Sequence, residues 1–244
     1  MAVSSPPRRG DQVGPHSQRG LIVALVLAIT VILALAAVVV AALLTRGGAP
    51  GSGLQGSGVA AAQSRILPRF SSLDITGSNK VTVDVGGRQS VVIHADSNLM
   101  RQVTTRVVAG TLVVGTRGAF TTRSPMSVDV SLPALAAVKL NGSGEISVDG
   151  IDEPRLIATL SGSGALYASG TATQLDVTLS GSGLAQLDNL IARDVRAIVA
   201  GSGLIRVTAT TSLEAAVPGT GVIIYSGNPQ VTSSVTGTGS VIHG

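Results

Sequence analysis

Acid–base chemistry on a sugar polymer needs carboxylates held close together, often beside an arginine, and one column of this sequence offers Asp176, Arg196 and Glu214. Each stands five residues before a Gly-Ser-Gly or Gly-Thr-Gly triplet, so stacked copies of the surrounding unit would set the three side by side. Their signs alternate, as in a solvated ion-pair ladder worth about 0–1 kcal/mol per pair, and the column is read as surface charge. Calcium-binding repeats need an Asp at one fixed place in every copy, and none recurs. His16, His94 and His243 are scattered and there is no cysteine, so neither a metal cluster nor a disulfide framework is implied. No Gly-x-x-x-x-Gly-Lys-Ser/Thr or Gly-x-Gly-x-x-Gly pattern is present to cradle a phosphate. Tyr167 and Tyr225 fall on opposite faces, which gives no aromatic platform for sugars, and the sequon Asn141-Gly142-Ser143 coincides with a triplet. The expectation is a chain without catalytic residues, cofactor or metal.

The elements that would position such residues are set by repetition. Triplets occur at Gly142-Ser143-Gly144, Gly162-Ser163-Gly164, Gly181-Ser182-Gly183, Gly201-Ser202-Gly203, Gly219-Thr220-Gly221 and Gly237-Thr238-Gly239. Their first glycines are 20, 19, 20, 18 and 18 residues apart. Two residues before each stand Leu140, Leu160, Leu179, Val199, Val217 and Val235; four after stand Ile146, Leu166, Ala185, Ile205, Ile223 and Val241. Further apolar columns lie four and six residues before. All these offsets are even, so an apolar face alternates with a mostly polar one, which is the period of strands. A unit this short cannot bury its apolar face alone, whereas axially stacked copies share a continuous core. The fold expected is all-β, a parallel β-solenoid of coils of about 18–20 residues, with each triplet at the same corner.

Glycine suits a sharp corner because it reaches positive φ and lets neighbouring backbone come close. The residue between the glycines is always Ser or Thr, and coils about 4.8 Å apart would let those hydroxyls bond along a ladder.

Ahead of the repeats, residues 1–20 are rich in Pro, Gly, Ser and Arg and read as a disordered cytoplasmic tail. Leu21–Leu44 is a 24-residue run whose only polar member is Thr30. As a helix it reaches roughly 36 Å, enough to cross a hydrocarbon core of about 30 Å. The lipid bilayer is thus its expected partner. Arg8, Arg9 and Arg19 precede the run and only Arg46 closely follows, which puts the N-terminus in the cytoplasm and the repeats outside. Residues 45–64 read as a flexible Gly/Ser/Ala linker; Gly51-Ser52-Gly53 and Gly56-Ser57-Gly58 lack the flanking apolar columns and are left out of the repeat. From Arg65 onward 13 Lys and Arg face 12 Asp and Glu, so the electrostatic argument for nucleic-acid binding fails.

Residues 65–133 are less regular and read as a β cap with a first coil, in which Gly77-Ser78-Asn79 is a degenerate triplet and Asp96 starts a short helical turn. Residues 134–244 hold the repeats.

Phe70-Ser71-Ser72-Leu73-Asp74-Ile75-Thr76-Gly77-Ser78, Gly110-Thr111-Leu112-Val113-Val114 and Leu132-Pro133-Ala134-Leu135 leading into Gly-Ser-Gly coils resemble the “putative auto-transporter adhesin head GIN domain” family of bacterial surface proteins, over residues 66–243. The resemblance implies a surface β-solenoid and an adhesive role, and brings no catalytic motif. The chain is therefore expected to be a membrane-anchored extracytoplasmic structural or interaction module at the cell membrane, facing an unknown envelope or surface partner. A cell-envelope regulatory or sensor subunit and a carbohydrate-active β-helix enzyme are the alternatives.

Overall fold

Alternation with a period of two becomes strands throughout the residues that the computed structural model describes, 53–244, among which there is no helix. In chain order they are β1 (Leu54–Gln55), β2 (Ala60–Ser64), β3 (Ser72–Gly77), β4 (Lys80–Val85), β5 (Ser90–Asp96), β6 (Val103–Val108), β7 (Thr111–Thr116), β8 (Phe120–Thr121) and β9 (Ser127–Leu132). The repeats supply β10 (Ala137–Gly142), β11 (Glu145–Gly162), β12 (Ala165–Gly181), β13 (Leu184–Val199), β14 (Leu204–Val217), β15 (Val222–Ser226), β16 (Gln230–Val235) and β17 (Ser240–His243). The membrane-spanning helix expected over Leu21–Leu44, and the tail before it, lie outside the described residues.

The long strands β11 to β14 each wrap around a coil. Residues after a triplet lie on one face, residues before the next triplet on a second, and a short third side joins them. Pairing between coils is parallel and in register at the corner: Gly142 pairs with Gly162 and Gly162 with Gly181. The unequal spacing of the triplets is absorbed on the third side. Register shifts fall between Val148 and Ile151, between Tyr167 and Ser169, and between Leu187 and Ile191.

Inward columns from both faces form the core. Leu140, Leu160, Leu179, Val199 and Val217 from one face, and Ile146, Leu166, Ala185, Ile205 and Ile223 from the other, are buried. Burying such a side chain contributes about 1.5–3 kcal/mol, so it is the stack of columns that holds the coils together. In the last coil Val231 and Val235 keep inward positions but are 36% and 42% exposed, since no described coil covers them.

The cap continues both faces by another route. On one face β3 lies between β10 and β7, all parallel, and β6 runs antiparallel outside β7. On the other, β4 lies between β11 and β9, with β5 and then β2 antiparallel beyond. Strands β7 and β9 thus stack outside β3 and β4 although they follow them in sequence. Gly77 pairs with Gly142, and Asn79 O accepts the Glu145 N–H at 2.9 Å, so Gly77-Ser78-Asn79 occupies a triplet's place.

Two expectations are corrected. Residues 53–64, read as part of a flexible linker, are docked: β1 pairs with β8 and β2 with β5. The segment after Asp96 makes successive turns, with Leu99 N–H on Asp96 O and Gln102 N–H on Leu99 O, rather than a helical one.

Candidate functional site

The triplet corner is built by backbone approach. A β-carbon at Gly144, Gly164 or Gly183 would sit 2.5 Å from the carbonyl oxygen of Asn79, Gly144 or Gly164 in the coil beneath. Positive φ accounts for less of the pattern. Gly142, Gly162 and Gly181 have φ of 128°, 121° and 137°, whereas Gly201, Gly219 and Gly237 occupy the same corner outside the left-handed region. What all the copies share is space for a main chain and nothing more. The central residues Ser143, Ser163, Ser182, Ser202, Thr220 and Thr238 are exposed, and among the described residues only the Ser182 and Ser202 hydroxyls are bonded to each other, at 3.2 Å. The expected hydroxyl ladder is thus reduced to one solvent-facing pair.

Asp176, Arg196 and Glu214 do come into one row, each paired in register with the next. Asp176 is nevertheless held by Arg155, whose Nε and Nη2 both donate to its Oδ2 at 3.0 and 2.7 Å. Arg196 reaches Glu214 only at 3.8 Å. The row behaves as surface ion pairs, which is how its alternating signs are read from sequence. Asn141 donates its side-chain amide to Asp74 Oδ1 at 2.9 Å.

A second feature escapes a column-by-column reading. Asp96, at the end of β5, is fully buried and accepts from the N–H groups of Gly58 at 2.8 Å, Arg123 at 2.8 Å and Ser124 at 3.3 Å, and from Ser124 Oγ at 2.9 Å. The Arg123 N–H above all, with help from the Ser124 and Gly58 donors and against the opposing effect of burial, holds its carboxyl below the ordinary value. This carboxylate fastens residues 56–58 to the 123–124 loop. Gly56 is required there because a β-carbon would overlap Asp96 Oδ2. No local motif announces the arrangement; its donors lie 38 and 27 residues away.

The outward column three residues after each first glycine also departs from the expected polar face. Lys80 and Glu145 begin it as an ion pair at 3.0 Å. Ala165, Leu184, Leu204 and Val222 continue it in register, half-buried yet outside the core, with Ile224 and Ile242 in the next column. The result is an apolar strip on the outside of one face, unpartnered among the described residues. Its signal is present in the sequence but lies at an odd offset, where the strand period predicts a polar residue.

Residues 69–229 match a family model described as “Putative auto-transporter adhesin, head GIN domain”. Among solved structures, a “putative adhesin” from Bacteroides fragilis is 21% identical with a TM-score of 0.66, covering 78% of this chain and 100% of that one. A “putative adhesin” from Parabacteroides distasonis is 20% identical with a TM-score of 0.53, over 79% of this chain and 100% of that one. A “putative lipid binding protein”, also from Parabacteroides distasonis, is 20% identical with a TM-score of 0.52 over the same shares. At these identities the likeness to the solved structures is one of fold. No curated protein matches the chain.

Proposed function

We propose, from the premise that the chain belongs to the family described as “Putative auto-transporter adhesin, head GIN domain”, that it is a membrane-anchored, extracytoplasmic interaction module, adhesive and non-catalytic. The observation that carries this reading is the outward strip Ala165–Leu184–Leu204–Val222, repeated at coil spacing on an open sheet face. Contiguous apolar surface on a soluble domain is costly to leave in water, and a partner that covers it recovers that cost. Leu21–Leu44 supplies the anchor in this reading, and the flanking arginines supply its orientation.

Two experiments test it. Leu204→Glu, or Leu184→Glu with it, places charge in the strip without touching the core, and cells displaying the full chain should lose adhesion while the purified variant keeps its circular dichroism. Adhesion undiminished by both would remove the strip from the interface. Tags at both ends then test the topology: protease added to intact cells should spare the N-terminal tag and digest the C-terminal domain, and the extracted chain should have its uncleaved mass. A protected C-terminal tag would put the domain in the cytoplasm and end the adhesive reading.

A further inference from the structure

The third side of the cap carries a pocket that the triplet repeat does not make. Four separate crossings of the chain meet there: the entry to β3 with Arg69 and Phe70, the β4–β5 turn with Arg88, the β6–β7 hairpin tip at Gly110, and the β9–β10 link with Pro133 and Ala134. The space is about 660 Å³, within the range of small-molecule sites. Its walls are fixed by hydrogen bonds that owe nothing to a ligand. Ser71 N–H donates to Gly110 O at 3.1 Å. The Gln89 side chain accepts the Phe70 N–H at 3.2 Å and donates to Leu67 O and Pro68 O at 3.2 and 3.0 Å. Phe70 is buried and belongs to the core, so the floor is rigid as well as apolar.

Against that floor stand two charges without a structural task. Arg69 and Arg88 are exposed, and among the described residues neither makes an ion pair or a side-chain hydrogen bond. Glu153, the carboxylate tied to the neighbouring β9–β10 link, is engaged with the Leu135 N–H at 2.7 Å. A guanidinium fork matches the two oxygens of a carboxylate, and two forks at the mouth of an apolar hollow select an anion with an apolar body. We propose that this cap pocket binds a soluble organic anion, its carboxylate taken by Arg69 and Arg88 and its apolar body laid on Phe70, Pro133 and Ala134. The assignment stands apart from the adhesive reading, since it uses none of the strip residues.

The probe is 4-phenylbutyrate, with 4-phenylbutyramide as its uncharged counterpart, titrated calorimetrically into the full-length chain in phosphatidylcholine nanodiscs against empty discs. The acid should bind at least tenfold more tightly than the amide. Arg69→Gln with Arg88→Gln should weaken the acid at least tenfold and leave the amide unchanged, and Ala134→Trp should abolish binding of both, with thermal midpoints unmoved. Acid and amide binding alike, acid binding that survives Ala134→Trp, or no binding of the acid at all would overturn the proposal. Glycerol phosphate, a headgroup without the apolar body, should fail to displace the acid; displacement would overturn the organic anion in favour of a phosphate headgroup.

Discussion

A β-carbon at Gly183 would lie 2.5 Å from the Gly164 carbonyl oxygen, while the neighbouring Ser182 side chain is exposed to water. Both positions recur in all six triplets, the glycine unchanged and the centre as Ser or Thr, and physics separates them. Gly183→Ala must push two coils apart and should cost about 1–3 kcal/mol or more, as overpacking does. Ser182→Ala gives up one exposed hydroxyl pair and should stay within about 0.5 kcal/mol of the parent in urea denaturation. Equal effects would mean that the hydroxyls stabilise the corner after all. Asp96 makes its contribution through charge. Its folded-state pKa is lower than in the unfolded chain, so the stabilisation is complete above the ordinary carboxylate range and is lost as pH falls through the lowered folded value. Asp96→Asn should therefore be less stable than the parent near neutral pH, with the difference narrowing in acid. Urea midpoints measured over that window check it, and a constant difference would assign the loss to packing.

Among elements, the docked segment of β1 and β2 is held by two strand ladders and by its contacts to Asp96 and Asn98, and its tightest approach is Gly56 against the Asp96 carboxylate. Gly56→Ala should force residues 56–58 off Asp96, free β1 from β8 and leave the β5 edge open. Hydrogen exchange should then quicken over residues 54–64 and along β5 while the repeat coils keep their protection; unchanged exchange in β2 would show that its ladder to β5 is sufficient alone. Much of the strand pattern is legible without a structure, because the inward residues of β11 to β14 recur at even offsets and a strand has only two sides. The apolar outward strip is missed for the same reason, since Leu184, Leu204 and Val222 fall where alternation places polar residues. Asp96 is harder still. It reads as the start of a helical turn and instead begins two successive plain turns, while its buried partners come from segments that no local pattern connects to it.

For the described domain as a whole, stability should come from interfaces between adjacent coils, and coils should be removable as units. Deleting residues 162–180, the 19 residues from Gly162 up to Gly181, sets Gly181 directly over Gly142 with the inward columns in phase. That chain should fold with native-like circular dichroism and a lower thermal midpoint. Deleting residues 162–171 instead shifts the corner out of register with the coil beneath and should abolish cooperative unfolding. Equal behaviour of the two deletions would show that the triplet corner does not set the register.

What the sequence determined by itself is periodic and local: the strand class, the coil length, the parallel stacking and the corner at which each triplet sits, all consequences of short units that must share a core. Only the tertiary structure decided that β7 and β9 stack outside β3 and β4, that residues 53–64 close onto the cap with Gly58 on Asp96, and that four crossings line the open hollow beside Arg69 and Arg88. Those features depend on which distant segments meet once the coils have closed. A repeat specifies its own neighbours through identical registers, whereas an irregular cap is specified by contacts that exist only after the chain has folded onto itself.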